Sequence, residues 1–297
     1  MSTINEIIMA KFEGAKQGAA ADSGAMYAFR DVQLSRALAA ELARNAAKNI
    51  RGGVGYMSIH RFIPVGGLAT MIASAVPAYR YANLSFVDSW VSIWAVFFLI
   101  GFTLTALEAS FFLKASPIQG WRPFLMAFVI TGIMAAVAAA FSATSARSQG
   151  LVFGVQSRLV QHSLVYWLWR FFGAAGLFTF LYGTIGSATW PFIKKYYSDR
   201  SLGLDLHVPD GRTVILLQMI RGFVVAIVLF PLIITLRASK TIAVAVLAVL
   251  LLTTMAIGPL TMASRWPIAL RMIHVAEFAL FTVLYSAVAH TLFAPEI

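Results

Sequence analysis

Apolar residues fall along this chain in long, almost unbroken runs, not at the spacing of half-buried elements. The tracts cover 62–82, 89–113, 124–145, 164–188, 213–236, 241–263 and 267–292. Each is close to the ~20 residues that, at ~1.5 Å per residue, cross a ~30 Å hydrocarbon layer. Only helices and closed barrels satisfy their backbone groups in lipid, and runs this long do not fit the roughly 10-residue alternating strands of a barrel. The pattern predicts an all-α, polytopic helical membrane protein with about seven transmembrane helices over 62–297. Pro64, Pro77 and two glycines interrupt the first tract. A kinked span and a re-entrant or interfacial segment both fit it, so the count is seven or six.

Residues 1–61 have a different texture, with eight Lys or Arg and five Asp or Glu. From Tyr27 to Arg51 the stretch reads as an alanine-rich helix, with Val32, Leu38 and Leu42 on one stripe and Arg30, Arg36, Arg44, Lys48 and Arg51 around it. This basic, amphipathic cytoplasmic segment suits either an anionic membrane surface, its cations reaching the lipid head groups, or the protein's own loops. Gly52, Gly53 and Gly55 then break the helix as a hinge. They lack the Lys-Ser/Thr ending of a phosphate loop.

Charge distribution orients the chain. With the N-terminus inside, sixteen Lys or Arg fall on the cytoplasmic side and five on the other, while Arg170 and Arg221 lie within spans. The positive-inside bias therefore predicts N-inside and C-outside. The same bias accounts for the net charge of +11 without a nucleic acid partner. Overall 60% of residues are apolar and 12% charged, against roughly a quarter charged in soluble domains. With no cysteine, disulfides, thiolate metal sites and cysteine nucleophiles are excluded. Glu6 and Glu13, and the lack of an apolar core in the first twenty residues, fit neither a secretory signal nor a transit peptide. The expected location is a bacterial cytoplasmic (inner) membrane.

Ionisable groups at bilayer depth cost at least ~2.5 kcal/mol near a helix centre, so they mark either pairing between helices or a functional path. Glu108, Arg221, His274 and Glu277 all fall in the inner half of their tracts, at similar depth. Arg271, His274 and Glu277 follow one another along the last tract, and the three-residue step puts His274 beside Glu277. A proton or ion relay uses Glu277 as the titrating group with His274 as its partner. An interhelical lock instead neutralises Arg221 and Arg271 with Glu108 and Glu277. Arg170 lies in the outer half, among Tyr166, Trp167, Trp169, Phe171 and Phe172, where it stacks or reaches the interface.

No complete catalytic or metal site is legible. Glu108, His274, Glu277 and His290 are too few for a di-iron bundle, and His274 and His290 lie about 24 Å apart on one helix, too far to share a haem. Mixed charges at Lys194, Lys195, Asp199, Arg200, Asp205, His207 and Asp210 read as a solvated loop, and Pro209-Asp210-Gly211 as a turn. No cofactor is implied.

Small residues from Ala135 to Ala143 predict a third span central to the bundle, and Gly173, Gly176, Gly183 and Gly186 a close-packing face on the fourth. Pro231 and Pro259 are candidate kinks that free carbonyls toward a cavity. Trp90, Trp121, Trp190 and Trp266 fit interfacial anchoring. Three functions follow. The first is a carrier or channel for a small solute or ion, with the polar cluster bordering a cytoplasm-facing cavity. The second is a non-catalytic structural or assembly subunit, bound to a membrane-protein partner or to copies of itself. An intramembrane metal- or redox-dependent enzyme trails both.

Overall fold

The computed structural model describes residues 59–113, 120–143, 150–198, 206–257, 260 and 266–294, with the side chains of 59–65 left aside. The chain divides into Met1–Tyr56 and Met57–Ile297. The basic N-terminal segment, Lys114, Asp199, Arg200, Asp205, Pro259 and Arg265 lie outside the described residues.

Among the described residues the chain forms eight helices. They are α1 (Ile59–Ala82), α2 (Phe86–Phe112), α3 (Arg122–Ser142), α4 (Leu151–Leu159), α5 (Leu164–Ser198), α6 (Gly211–Thr235), α7 (Lys240–Ile257) and α8 (Ile268–Phe293). Six of them, α2, α3 and α5 to α8, are long and apolar enough to cross a membrane. The protein is therefore an all-α, multi-pass membrane protein. Its one β contact among the described residues is an isolated bridge between Leu113 and Leu206, where the His207 N–H donates to the Phe112 carbonyl at 2.9 Å.

The helix boundaries follow local chemistry. Ser85 caps α2 by accepting the Asp88 N–H at 3.2 Å, after a left-handed turn at Asn83 (φ 53°). Asp210 caps α6 by accepting the Thr213 N–H at 3.0 Å and its hydroxyl at 2.5 Å, so this span starts at Gly211, inside the expected turn. The fourth tract, expected to stop at 188, continues as helix to Ser198 through Pro191. Ile193 and Tyr196 are buried against Leu206 and Leu270 there, and that packing outweighs the fall in hydropathy. At ~1.5 Å per residue α5 is about 52 Å long. Between α3 and α5 lies α4, a nine-residue helix with no buried residue.

Hydrophobic burial does not hold spans together in lipid, so close packing and polar contacts must. The two expected small-residue faces behave differently. Ala135, Ala138, Ala139 and Ser142 of α3 are wholly buried, but Leu125, Met126, Ile133 and Val137 on its other faces are exposed. Only a third of the α3 span is buried, against half of α6 and α7. The third span is thus peripheral, because its small stripe is matched by large residues all round, and α6 and α7 are central. The glycines of α5 also depart from expectation, since a Cβ on Gly173, Gly176, Gly183 or Gly186 would meet nothing within 4 Å. Close approach occurs on the opposite face, where a Cβ on Gly222 of α6 would sit 2.6 Å from Phe178 Cβ and 2.9 Å from Ala175 Cα. Trp90, expected at the interface, donates its indole N–H to the Gly132 carbonyl at 2.9 Å, and Trp94 donates to Phe128 at 3.1 Å. These bonds tie α2 to α3.

Two measurements follow. Gly222→Ala should destabilise the protein by about 1–3 kcal/mol through overpacking against backbone, while Gly183→Ala should change stability by less than about 1 kcal/mol; thermal unfolding in detergent compares them. Hydrogen bonds from Thr213, its hydroxyl first and then its N–H, hold the Asp210 carboxyl below its ordinary 3.8. The cap's contribution is present in full above that ordinary value and is lost as pH falls through the lowered one. Unfolding midpoints between about pH 5 and pH 2 should fall less steeply in Asp210→Asn than in the parent.

Candidate intramembrane polar site

A guanidinium in the interior of an apolar bundle must find acceptors, because desolvating it alone costs several kcal/mol. Arg221 stands ten residues into α6, about 15 Å along its axis, with 1% of its surface exposed. Its Nη1 lies 2.5 Å from Glu108 Oε1 of α2 and donates to Gln218 Oε1 at 3.0 Å. Gln218 is one turn back on the same face of α6, and its amide nitrogen is 3.5 Å from the same Glu108 oxygen. Phe178 of α5 presents its ring 5.7 Å from the guanidinium carbon, within cation–π range. Tyr182, one turn further along α5, hydrogen-bonds Glu108 through its hydroxyl. Three helices thus converge on one ion pair, and Arg221 Nε remains buried without a partner.

A second cluster lies on α8. His274 Nδ1 is 2.6 Å from Glu277 Oε2, and the Thr189 hydroxyl of α5 donates to Glu277 Oε1. The Trp266 ring centroid lies 5.6 Å from that of His274. The side chains of His274 and Glu277 are 16% and 12% exposed and that of Glu108 is 20% exposed, against 2% for Arg221; both carboxylates are therefore partly exposed, and the guanidinium is the buried member. Tyr197 of α5 lies in the neighbourhood of both Glu108 and Glu277, and α5 touches each cluster, with Phe178 against Arg221 and Thr189 bonded to Glu277.

The five polar residues expected to meet therefore divide. Glu108 joins Arg221, and Glu277 joins His274. Arg271 pairs with neither carboxylate among the described residues, and its Nε is buried without a partner. A symmetric lock of two arginines on two carboxylates is not what forms. One turn of helix separates Arg271 from His274, and the histidine and Thr189 occupy the Glu277 oxygens first. Arg170 stacks on Tyr166, 4.1 Å from the ring centroid, and donates to the Leu292 carbonyl. Arg158 adds a bond to the Ala294 carbonyl at 3.3 Å. Both cations lie at the carbonyl end of α8, where the helix dipole favours them. Pro231 sits within α6, its carbonyl accepting the Thr235 hydroxyl at 2.8 Å; Pro259 lies outside the described residues.

Sequence reasoning missed Gln218, Tyr182, Thr189 and Tyr197. Gln218 was signalled by its three-residue step from Arg221. Tyr182 and Thr189 are seven residues apart and share a helix face, but Thr189 and Tyr197 stand beyond the expected end of the span. No group of three or more His, Asp or Glu side chains capable of holding a metal ion occurs among the described residues.

Fold and site together define a multi-pass helical membrane protein with a divided polar cluster inside its bundle. Compared with family models, curated proteins and solved structures, the chain matches none.

The ion pair has a measurable signature. Glu108→Gln or Arg221→Leu alone should each cost about 3 kcal/mol or more by stranding a buried partner. The double variant should be more stable than the sum of the two losses by at least ~1 kcal/mol, read from unfolding in detergent.

Proposed function

We propose that the protein is a carrier or channel for a small solute or ion, with the α8 pair His274 and Glu277 and the Glu108 carboxylate on Arg221 as the two polar stations of its path. The observation that carries this reading is the pair of carboxylates set between helices of the bundle, Glu277 bonded to His274 and Thr189 and Glu108 bonded to Arg221, with α5 reaching both through Thr189 and Phe178. Histidine and carboxylate side chains within spans are the groups that proton relays are built from, so the proton is the ion this pair takes up directly. In this reading α1 is a seventh span, the N-terminus is cytoplasmic on the count of Lys and Arg, and the membrane is a bacterial inner membrane. The N-terminal segment contacts anionic head groups.

A second reading has its own support. The 2.5 Å contact between Glu108 and Arg221, with Gln218 completing it, is what a static interhelical lock requires, and a structural or assembly subunit needs nothing more.

Proteoliposomes loaded with a pH-sensitive dye and given an imposed membrane potential separate the two. The carrier reading expects faster proton entry than in empty vesicles, and a loss of tenfold or more in Glu277→Gln with its unfolding temperature unchanged. Vesicles no faster than empty ones, with Glu277→Gln altering only stability, would favour the structural subunit.

A further inference from the structure

Two of the spans are not wound as α-helices throughout. Val96–Thr103 of α2 and Thr253–Ile257 of α7 are π-helical, and the Leu104 N–H closes the first of these on the Leu99 carbonyl, five residues back. Such turns are rare and cluster where proteins do something besides fold. These two meet: a Cβ on Gly101 would stand 2.8 Å from Thr254 Cγ2 and 3.4 Å from Met71 Cε, so only glycine admits the contact.

The winding of α2 decides where Glu108 points. Leu104–Phe112 is an ordinary α-helical segment beyond the π turn, and it carries Glu108. An i→i+5 turn holds about one residue more than an i→i+4 turn. Rewinding it would rotate everything beyond by about one residue's angle, ~100°, and carry Glu108 off Arg221.

The π state also has a visible cost. Thr131, Thr179 and Thr235, in α-helical stretches, each donate their hydroxyl to the carbonyl four residues back. The Thr103 hydroxyl is buried with no partner, and the carbonyl at that spacing, Leu99, is the one that receives the Leu104 N–H. Tertiary contacts must therefore hold the wound-out form, and the two on hand are the Gly101 approach to Thr254 and the Glu108 bond to Arg221.

We propose that Val96–Thr103 is a rotary joint that swings Glu108 on and off Arg221. Its use in transport rests on the carrier reading above; its existence does not. The groups facing Glu108 are Arg221 and Gln218 from α6 and Tyr182 and Tyr197 from α5, with Glu277 and His274 of α8 beyond Tyr197. Neutralising Glu108 removes the strongest restraint on the joint, and the arginine is then left to Gln218 and the Phe178 ring.

The chain has no cysteine, so spin labels can be placed without background. Ser110→Cys on the rotating segment and Met272→Cys on α8 are both exposed positions. A variant lacking Phe98 removes the extra residue and fixes the distance of the rewound form. In the parent, one distance should dominate. Glu108→Gln should shift most of the population to the distance of the variant lacking Phe98, a displacement of roughly 5–8 Å for a helix about 10 Å across. A Glu108→Gln distance equal to the parent's would overturn the joint. Should Glu108→Gln not accumulate, the labelled parent taken to acid reads the same motion, and an unchanged distance down to the pH of unfolding overturns it equally. No solute or gradient enters this measurement. A moving joint without proton flux sinks only the carrier reading, and flux without a moving joint sinks only this one.

Discussion

One buried cation organises the centre of this bundle. Arg221 brings a full charge into an interior whose other buried residues, among those described, are uncharged, and its neighbours are arranged to satisfy it. Glu108 supplies the opposite charge from α2, Gln218 a second acceptor from its own helix, and Phe178 an aromatic face from α5. Each of these fixes a helix in rotation as well as in position, because a carboxylate on the wrong side of α2 could not reach. Gly222, the next residue, completes the arrangement by letting α6 close onto Ala175 and Phe178. The ion pair to α2 and the close backbone approach to α5 therefore occupy the same level of α6.

The remainder of the architecture follows from what lipid does not provide. Large apolar side chains cover the outside of α3, α5 and α8 and gain little from packing inward, so the interior is built of small residues and directed bonds. Indole N–H groups of Trp90 and Trp94 bind carbonyls on α3, and the Ser74 and Thr253 hydroxyls join α1 to α7 at 2.6 Å. The carbonyl end of α8 is held by Arg170 and Arg158. Within this framework stand two partly exposed carboxylates, Glu277 paired with an imidazole and Glu108 with a guanidinium, and the functional reading uses both.

The helical, multi-pass character was legible in the apolar tracts, because ~20-residue runs leave the backbone one solution in lipid. The polar residues at depth were legible for the same reason, since each is costly enough to stand out. Pairing was not. The sequence placed Glu108, Arg221, His274 and Glu277 at similar depth, with Arg271 a turn away from His274, but depth fixes only one coordinate, and the rotation of α2 depends on a π turn that no residue pattern in Val96–Thr103 announces. Peripheral α3 and the unoccupied glycine face of α5 misled for a related reason. Small residues permit close contact without saying which helix, if any, makes it. The extension of α5 was hidden by Trp190 and Pro191, and with it went Thr189, which bonds Glu277, and Tyr197.

The account stands on Glu108 being ionised inside the bundle, since a neutral acid would leave Arg221 without its counter-charge. The direct measurement is infrared difference spectroscopy of the protein in lipid bilayers at neutral pH, comparing the parent with Glu108→Gln. The expected result is the loss of one carboxylate stretching band with no change among protonated carboxyl bands. Loss of a protonated carboxyl band instead would contradict the pairing of Arg221 with Glu108 on which the central packing, the joint and the transport reading are built.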